Sequence, residues 1–223
     1  MFQSVVFDLD GTLLDTLLDL AAAGNHALTA LGLPTHSADD FQRMVGHGMP
    51  NLVRSMLPED SRDDETFRQA FTLFTDYYSH NMTRHTRPYP GIPELLEMLA
   101  REGVLLAVLS NKKDLFTTQI IDHYFPGLFS HVMGLSDKYP PKPQPDSLLA
   151  LLQSMQARPE SALYCGDSDV DVFTAQNAGI PCCGVLWGFH SEERLRAGGA
   201  SYLAAVPQEV GRLVVPQAYP PIE

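Results

Sequence analysis

Val5-Val6-Phe7-Asp8-Leu9-Asp10-Gly11-Thr12 is the stretch from which the rest of the chain can be read. Three consecutive apolar residues, two of them β-branched, form a short buried strand that ends at Asp8. Gly11 and Thr12 then supply a turn. An apolar strand running straight into carboxylates suits an open α/β sheet, which binds ligands beyond the carboxyl ends of its strands.

Working outward, Leu17, Ala21, Leu28 and Leu31 recur at helical spacing until Gly32 and Pro34 stop the run. Ser37 is placed to cap a short helix, and a Gly46-His47-Gly48 turn precedes another containing Leu52, Val53 and Met56. The acidic stretch from Glu59 to Glu65 opens a longer helix, striped by Phe67, Phe71, Phe74 and Tyr78, whose phenylalanines read as core. Residues 16–83 are therefore helical throughout. After Pro88-Tyr89-Pro90-Gly91 the pattern changes to alternation. Helices are expected over 92–101, 115–124, 148–155 and 170–178, and strands over 104–109, 132–133, 163–165 and 182–186. Such alternation means parallel strands covered by helices. The expected fold is α/β: a three-layer Rossmann-like core with a parallel sheet (residues 1–15 and 84–215). A small all-helical cap domain (16–83) is inserted after the first strand, and a Pro-rich tail spans 216–223.

The net charge of −12, with no run of Lys or Arg, argues against nucleic acid or an anionic membrane as partner. No basic, apolar leader opens the chain and no apolar stretch is long enough to span a bilayer, so the expected location is cytoplasmic. Cys165, Cys182 and Cys183 are odd in number, have apolar neighbours and lack metal-ligand spacing. They read as buried, reduced thiols.

In a parallel sheet, the residues just after each strand collect along one edge. Here these are Asp8 and Asp10, then Ser110 and Asn111, then Gly166-Asp167. Three converging carboxylates repel one another, and a hard divalent cation resolves the conflict. Mg²⁺ takes oxygen ligands, so two carboxylates and a backbone carbonyl make a suitable set. The Lys142 cation and the Ser110 hydroxyl suit phosphoryl oxygens. An aspartate can itself attack phosphorus, while a second carboxylate handles the protons.

Phe7-Asp8-Leu9-Asp10-Gly11-Thr12, Ser110-Asn111, Lys142-Pro143 and Gly166-Asp167-Ser168-Asp169-Val170-Asp171 occur in that order. They resemble the four motifs of the haloacid dehalogenase-like hydrolase superfamily. The resemblance implies Asp8 as nucleophile and Asp10 as general acid–base. It implies Mg²⁺ held by Asp8, Asp167 and the main-chain carbonyl of Asp10, with Asp171 supporting the metal site or its waters. Ser110, Asn111 and Lys142 would meet the phosphoryl group. The helical insert, Asp15-Thr16 with Leu20-Ala21, Val45-Gly46-His47-Gly48 and Val185-Leu186-Trp187-Gly188-Phe189 resemble the phosphoglycolate phosphatase branch.

The expected activity is thus Mg²⁺-dependent hydrolysis of a small phosphorylated metabolite by a monomer or homodimer, with 2-phosphoglycolate the leading substrate. The alternatives are a phosphomutase of the β-phosphoglucomutase type, a pyrophosphatase or nucleotidase on the same core, and a non-enzymatic phosphate-ester sensor. An acid at Asp10 disfavours a dehalogenase. Asp169 reads as a helix-start carboxylate near the macrodipole, and Asn111 as a strand-to-helix cap bordering the site. Lys112 and Lys113 either add favourable potential or are exposed lysines needing no function. In the cap, Arg54 either meets a substrate carboxylate or is an ordinary exposed helix residue. His47 either touches substrate or fills its turn.

Overall fold

The computed structural model describes residues 2–218. In chain order the elements begin with β1 (Ser4–Phe7), β2 (Leu14–Asp15), α1 (Leu17–Ala30), α2 (Ala38–Met44), α3 (Met49–Met56) and α4 (Asp64–Asn81). β3 (Arg87–Pro88), α5 (Ile92–Arg101), β4 (Leu105–Lys113), α6 (Asp114–Tyr124), β5 (His131–Leu135) and α7 (Asp146–Ser154) follow. The series closes with β6 (Ala162–Gly166), α8 (Asp169–Asn177), β7 (Cys182–Val185), α9 (Glu192–Gly198), β8 (Tyr202–Ala204) and α10 (Pro207–Val214). The chain divides into two compact units, Met1–Leu14 with Pro88–Glu223, and Asp15–Arg87.

The larger unit is built on a sheet in the order β5-β4-β1-β6-β7-β8, with every neighbouring pair parallel. β1 lies in the interior of the sheet, and Phe7 is in register with Val108 on one side and Cys165 on the other. This register brings Asp8, Ser110 and Asp167 to one edge. Beneath that edge Val6, Ala107, Leu109, Tyr164 and Cys182 pack with Leu148, Leu151 and Leu152 of α7 and Val172 and Ala175 of α8. The three cysteines are free and buried.

In the larger unit, several details depart from the sequence reading. β4 does not stop at Leu109 but runs to Lys113, with a register shift against β5 between those residues. Such an irregularity re-aims the side chains at a strand end. β8, α9 and α10 had no counterpart in the expected alternation. Of the tail expected over 216–223, Pro216–Ala218 form a 3₁₀ turn, and the remainder lies outside the described residues.

In the smaller unit α1 to α4 are the only α-helices among the described residues, and Leu28, Phe41, Val53, Met56, Ala70, Phe74 and Tyr78 are buried. Ser37 caps α2 through a reciprocal capping box with Asp40. The acidic stretch does not open α4 directly. Glu59–Ser61 form a 3₁₀ turn, and Asp63 caps the helix by accepting from the backbone N–H of Glu65 and Thr66. The aromatic stripe is split: Phe74 and Tyr78 are buried, whereas Phe67 and Phe71 are half-buried and stack on each other at 5.8 Å.

Candidate active site

The edge built by β1, β4 and β6 carries a buried ionic cluster. Lys142 Nζ lies 2.9 Å from Asp8 Oδ1 and 2.7 Å from Asp171 Oδ1. Asp8, Asp167 and Asp171 can each direct an oxygen to within 4.8 Å of the others. Burial, with the charges of Asp171 and Asp167, pushes the Asp8 carboxyl up to about 8, although Lys142 pulls it down. Burial raises Asp167 as well. Burial opposes the charge on Lys142, but Asp171, Asp8 and Tyr164 outweigh it and push the ammonium well above the ordinary lysine value.

Asp171 and Asp167 occupy different surroundings. Asp171 Oδ1 accepts from Lys142 Nζ and from the Tyr164 hydroxyl, and Oδ2 accepts from the Ser168 backbone N–H and hydroxyl. With both oxygens doubly engaged, this carboxylate is a buttress for Lys142 and for the start of α8. Asp167 accepts from Thr12 Oγ1 at 3.2 Å and from the Phe189 N–H at 2.7 Å, with His190 Nδ1 3.4 Å away. Its cradle depends on two glycines. A Cβ on Gly11, which has φ +85°, would sit 2.5 Å from Asp167 Oδ2, and one on Gly188 would collide with Asp167 Cβ and the Gly11 carbonyl. Trp187 Nε1 donates to the Thr12 carbonyl at 2.9 Å and ties this loop to the turn after β1.

Asp10 stands apart from that cluster. Lys112 Nζ approaches both its oxygens, at 2.7 and 2.9 Å, and the Lys112 side chain is only 1% exposed. The reading of Lys112 as an exposed lysine is therefore wrong. It followed from ending the strand at Leu109, whereas β4 carries Lys112 inward and leaves only Lys113 at the surface. Ser110 is buried, and its Oγ accepts from the Lys112 backbone N–H at 3.2 Å.

Asn111 does not cap α6, which begins after Lys113 without a side-chain cap. Its amide instead brackets the Lys142 backbone: Nδ2 donates to the Lys142 carbonyl at 3.1 Å, and Oδ1 accepts from the Lys142 N–H at 2.9 Å. Asp169 sits in the first turn of α8, as expected for a helix-start carboxylate, and pairs with Arg194 at 2.9 Å. His47 and Arg54 belong to the smaller unit. His47 is exposed, and its carbonyl accepts from Asn51. Arg54 lays its guanidinium 4.4 Å from the Phe67 ring centroid and approaches Asp64 at 3.9 Å. Nothing local in the sequence ties His190 or the Gly188 loop, part of the Val185–Phe189 stretch, to Asp167; only the folded contacts of Phe189 and His190 do.

The residues present fit a divalent cation. Asp10 is matched by Lys112, and Lys142 offsets one of the three remaining carboxylates. Two negative charges are left over when all are ionised, equal and opposite to Mg²⁺. Asp8 Oδ1 is buried and accepts no aligned hydrogen bond, so it has a lone pair to give. A hard cation with oxygen ligands satisfies both conditions.

Residues 5–185 match the family described as haloacid dehalogenase-like hydrolase. The chain belongs to this family. Haloacid dehalogenase-like hydrolases similar to it include the phosphoglycolate phosphatase of Pseudomonas putida, 37% identical over 193 residues that cover 83% of this chain and 70% of that protein. The phosphoglycolate phosphatase of Vibrio parahaemolyticus is 32% identical over 221 residues, 96% of each chain. Among solved structures, a predicted phosphoglycolate phosphatase from Haemophilus somnus superposes with a TM-score of 0.87 at 28% identity, covering 95% of this chain and 97% of that one. The likeness thus extends across both compact units. No helix among the described residues is long and apolar enough to cross a membrane.

Proposed function

We propose that this protein is a Mg²⁺-dependent phosphatase that hydrolyses a small phosphomonoester, foremost 2-phosphoglycolate, through an aspartyl-phosphate on Asp8. The observation that carries the proposal is Asp8 Oδ1: a buried carboxylate oxygen at a strand end, beside Lys142 and within an excess of negative charge matched to a divalent cation. The substrate assignment is supported by relatives at 32–37% identity that bear the name phosphoglycolate phosphatase. Burial of all three cysteines suits a reducing, cytoplasmic setting.

In this reading the Asp8 carboxylate attacks phosphorus as the ester P–O bond breaks, and Asp10 gives a proton to the departing alkoxide. Asp10 then takes a proton from water, which attacks the aspartyl-phosphate, releases inorganic phosphate and regenerates Asp8. Lys142 and the Ser110 hydroxyl meet the phosphoryl oxygens, and Asn111 contributes by holding the Lys142 backbone. Asp8, Asp167 and the Asp10 carbonyl would hold Mg²⁺, while Asp171 stays with Lys142 and Ser168. When bound, Mg²⁺ neutralises the phosphoryl oxygens against the carboxylates around them.

A phosphate-release screen with and without EDTA tests the proposal, using 2-phosphoglycolate, pyrophosphate, nucleoside monophosphates and hexose phosphates. Mg²⁺-dependent turnover, abolished in Asp8→Asn with ligand binding retained, is expected. No release from any substrate would sink the phosphatase reading. A higher kcat/KM for pyrophosphate or a nucleotide would remove 2-phosphoglycolate alone.

A further inference from the structure

We propose that Lys112 is a positioning residue for Asp10 and, through it, for both proton transfers of the reaction; the inference rests on Asp10 being the general acid–base.

Asp10 lies on the turn after β1, beyond the hydrogen-bonded strand, and its side chain is 14% exposed. A carboxylate in such a place rotates about two side-chain torsions unless something fixes it. Lys112 Nζ contacts both oxygens, at 2.7 and 2.9 Å, from a side chain that is 1% exposed. This differs from a surface ion pair, in which flexible side chains and solvent screening erase most of the benefit. A buried ammonium is costly without a counter-charge, so the fold commits Lys112 to Asp10.

The backbone of the same residue acts on Ser110. The Lys112 N–H donates to Ser110 Oγ at 3.2 Å, which occupies an acceptor site on that oxygen and leaves the hydroxyl proton for a phosphoryl oxygen. Lys112 thus orients a phosphate donor through its main chain and the proton carrier through its side chain. The ammonium forms and breaks no covalent bond and keeps its protons throughout. A direct phosphate ligand would instead show itself in substrate affinity.

The test compares wild type, Lys112→Met, Lys112→Arg, Asp10→Asn and the Lys112→Met/Asp10→Asn double variant, each first checked for folding by circular dichroism. Substrates are the best ester from the screen and p-nitrophenyl phosphate. Misplacement of the acid–base by about 1 Å is worth about 10²-fold, so Lys112→Met should lose that much kcat. KM and the inhibition constant of inorganic phosphate should stay within about twofold. With p-nitrophenyl phosphate, whose leaving group needs no acid, Lys112→Met should show a burst of p-nitrophenol, because breakdown of the aspartyl-phosphate still needs the base. Lys112→Arg should recover most of the activity, since its fork also holds a carboxylate. The double variant should be no slower than Asp10→Asn.

Wild-type kcat in Lys112→Met, multiplicative losses in the double variant, or a phosphate inhibition constant that rises in step with the loss of kcat would overturn the proposal. Should Lys112→Met fail to fold, Lys112→Gln takes its place under the same criteria. An inactive wild type would be a failure of the phosphatase reading. An active wild type with additive losses would be a failure of the Lys112 inference alone.

Discussion

Lys142 Nζ lies 2.7 Å from Asp171 Oδ1, and neither side chain is more than 3% exposed. Tyr164 and Ser168 complete the hydrogen bonding of that carboxylate, so the pair is a charged post at the base of the site. Asp171→Asn removes the fully buried counter-charge, and breaking such a pair from one side costs about 3–5 kcal/mol. Tyr164→Phe leaves the ion pair in place and removes the hydroxyl's hydrogen bonds to Lys142 and Asp171, at about 1.5–3 kcal/mol. Urea unfolding of the two variants should therefore rank Asp171→Asn below Tyr164→Phe. Equal stabilities would show that Asp171 does not hold the lysine.

In the metal-free protein, Asp8 has a folded value of about 8 against an ordinary 3.8. A carboxyl raised in this way binds its proton more tightly folded than unfolded. Its stabilising contribution is fully present below the ordinary value and is lost as pH rises toward about 8. The stability difference between wild type and Asp8→Asn, in EDTA, should move in the variant's favour over that window. Mg²⁺ must displace the same proton, so its apparent affinity should climb about tenfold per pH unit below the folded value and then level. Thermal-shift titrations with Mg²⁺ across that range check both slopes. An affinity that is flat through the window would mean Asp8 carries no proton there.

Gly188→Ala would drive a methyl group into Asp167 Cβ and the Gly11 carbonyl, neither of which is a yielding side-chain end. Overpacking of this kind costs about 1–3 kcal/mol. Because the displaced atoms carry a proposed metal ligand, Mg²⁺ affinity should fall together with Tm. A variant with lower Tm and wild-type Mg²⁺ affinity would show that Asp167 keeps its position despite the clash.

Asp19, 2% exposed on α1, accepts from the backbone N–H groups of His85 and Thr86 and from the Thr86 hydroxyl, at 2.8 to 3.0 Å. Asp19→Leu takes the acceptor from the buried Thr86 N–H and hydroxyl, each worth about 1–3 kcal/mol when left without one. Asp19→Asn retains one acceptor oxygen and should lose less. Chemical denaturation of the two variants distinguishes this ordering from a purely electrostatic role, for which their losses would match.

The sheet edge was legible because each strand there is a continuous apolar run followed at once by polar residues. β1 before Asp8 and β6 before Asp167 are examples. Most of the charged site came with it. Lys112 was not legible, because the run of apolar residues ends at Leu109 and nothing local says that a strand continues through Ser-Asn-Lys-Lys. Its partner lies in a distant part of the chain, as do the partners of Gly188 and His190. Periodicity reports which face of an element is buried, but not which distant side chain meets it. Phe67 and Phe71 show the same limit, since helical spacing placed them on a stripe that the fold buries only at its far end.

The pairing of β1 also bears on how the chain is made. Ser4–Phe7 are synthesised before their hydrogen-bonding neighbours, Leu105–Val108 and Ala162–Cys165, with the whole of Asp15–Arg87 made in between. The helical segment is contiguous and rich in local contacts, the kind of unit that folds quickly, whereas pairings between remote strands are slow. The strand leading to the proposed nucleophile is thus made before both of its sheet neighbours and must wait for them, so a nascent chain truncated before β6 cannot yet hold Asp8 in place.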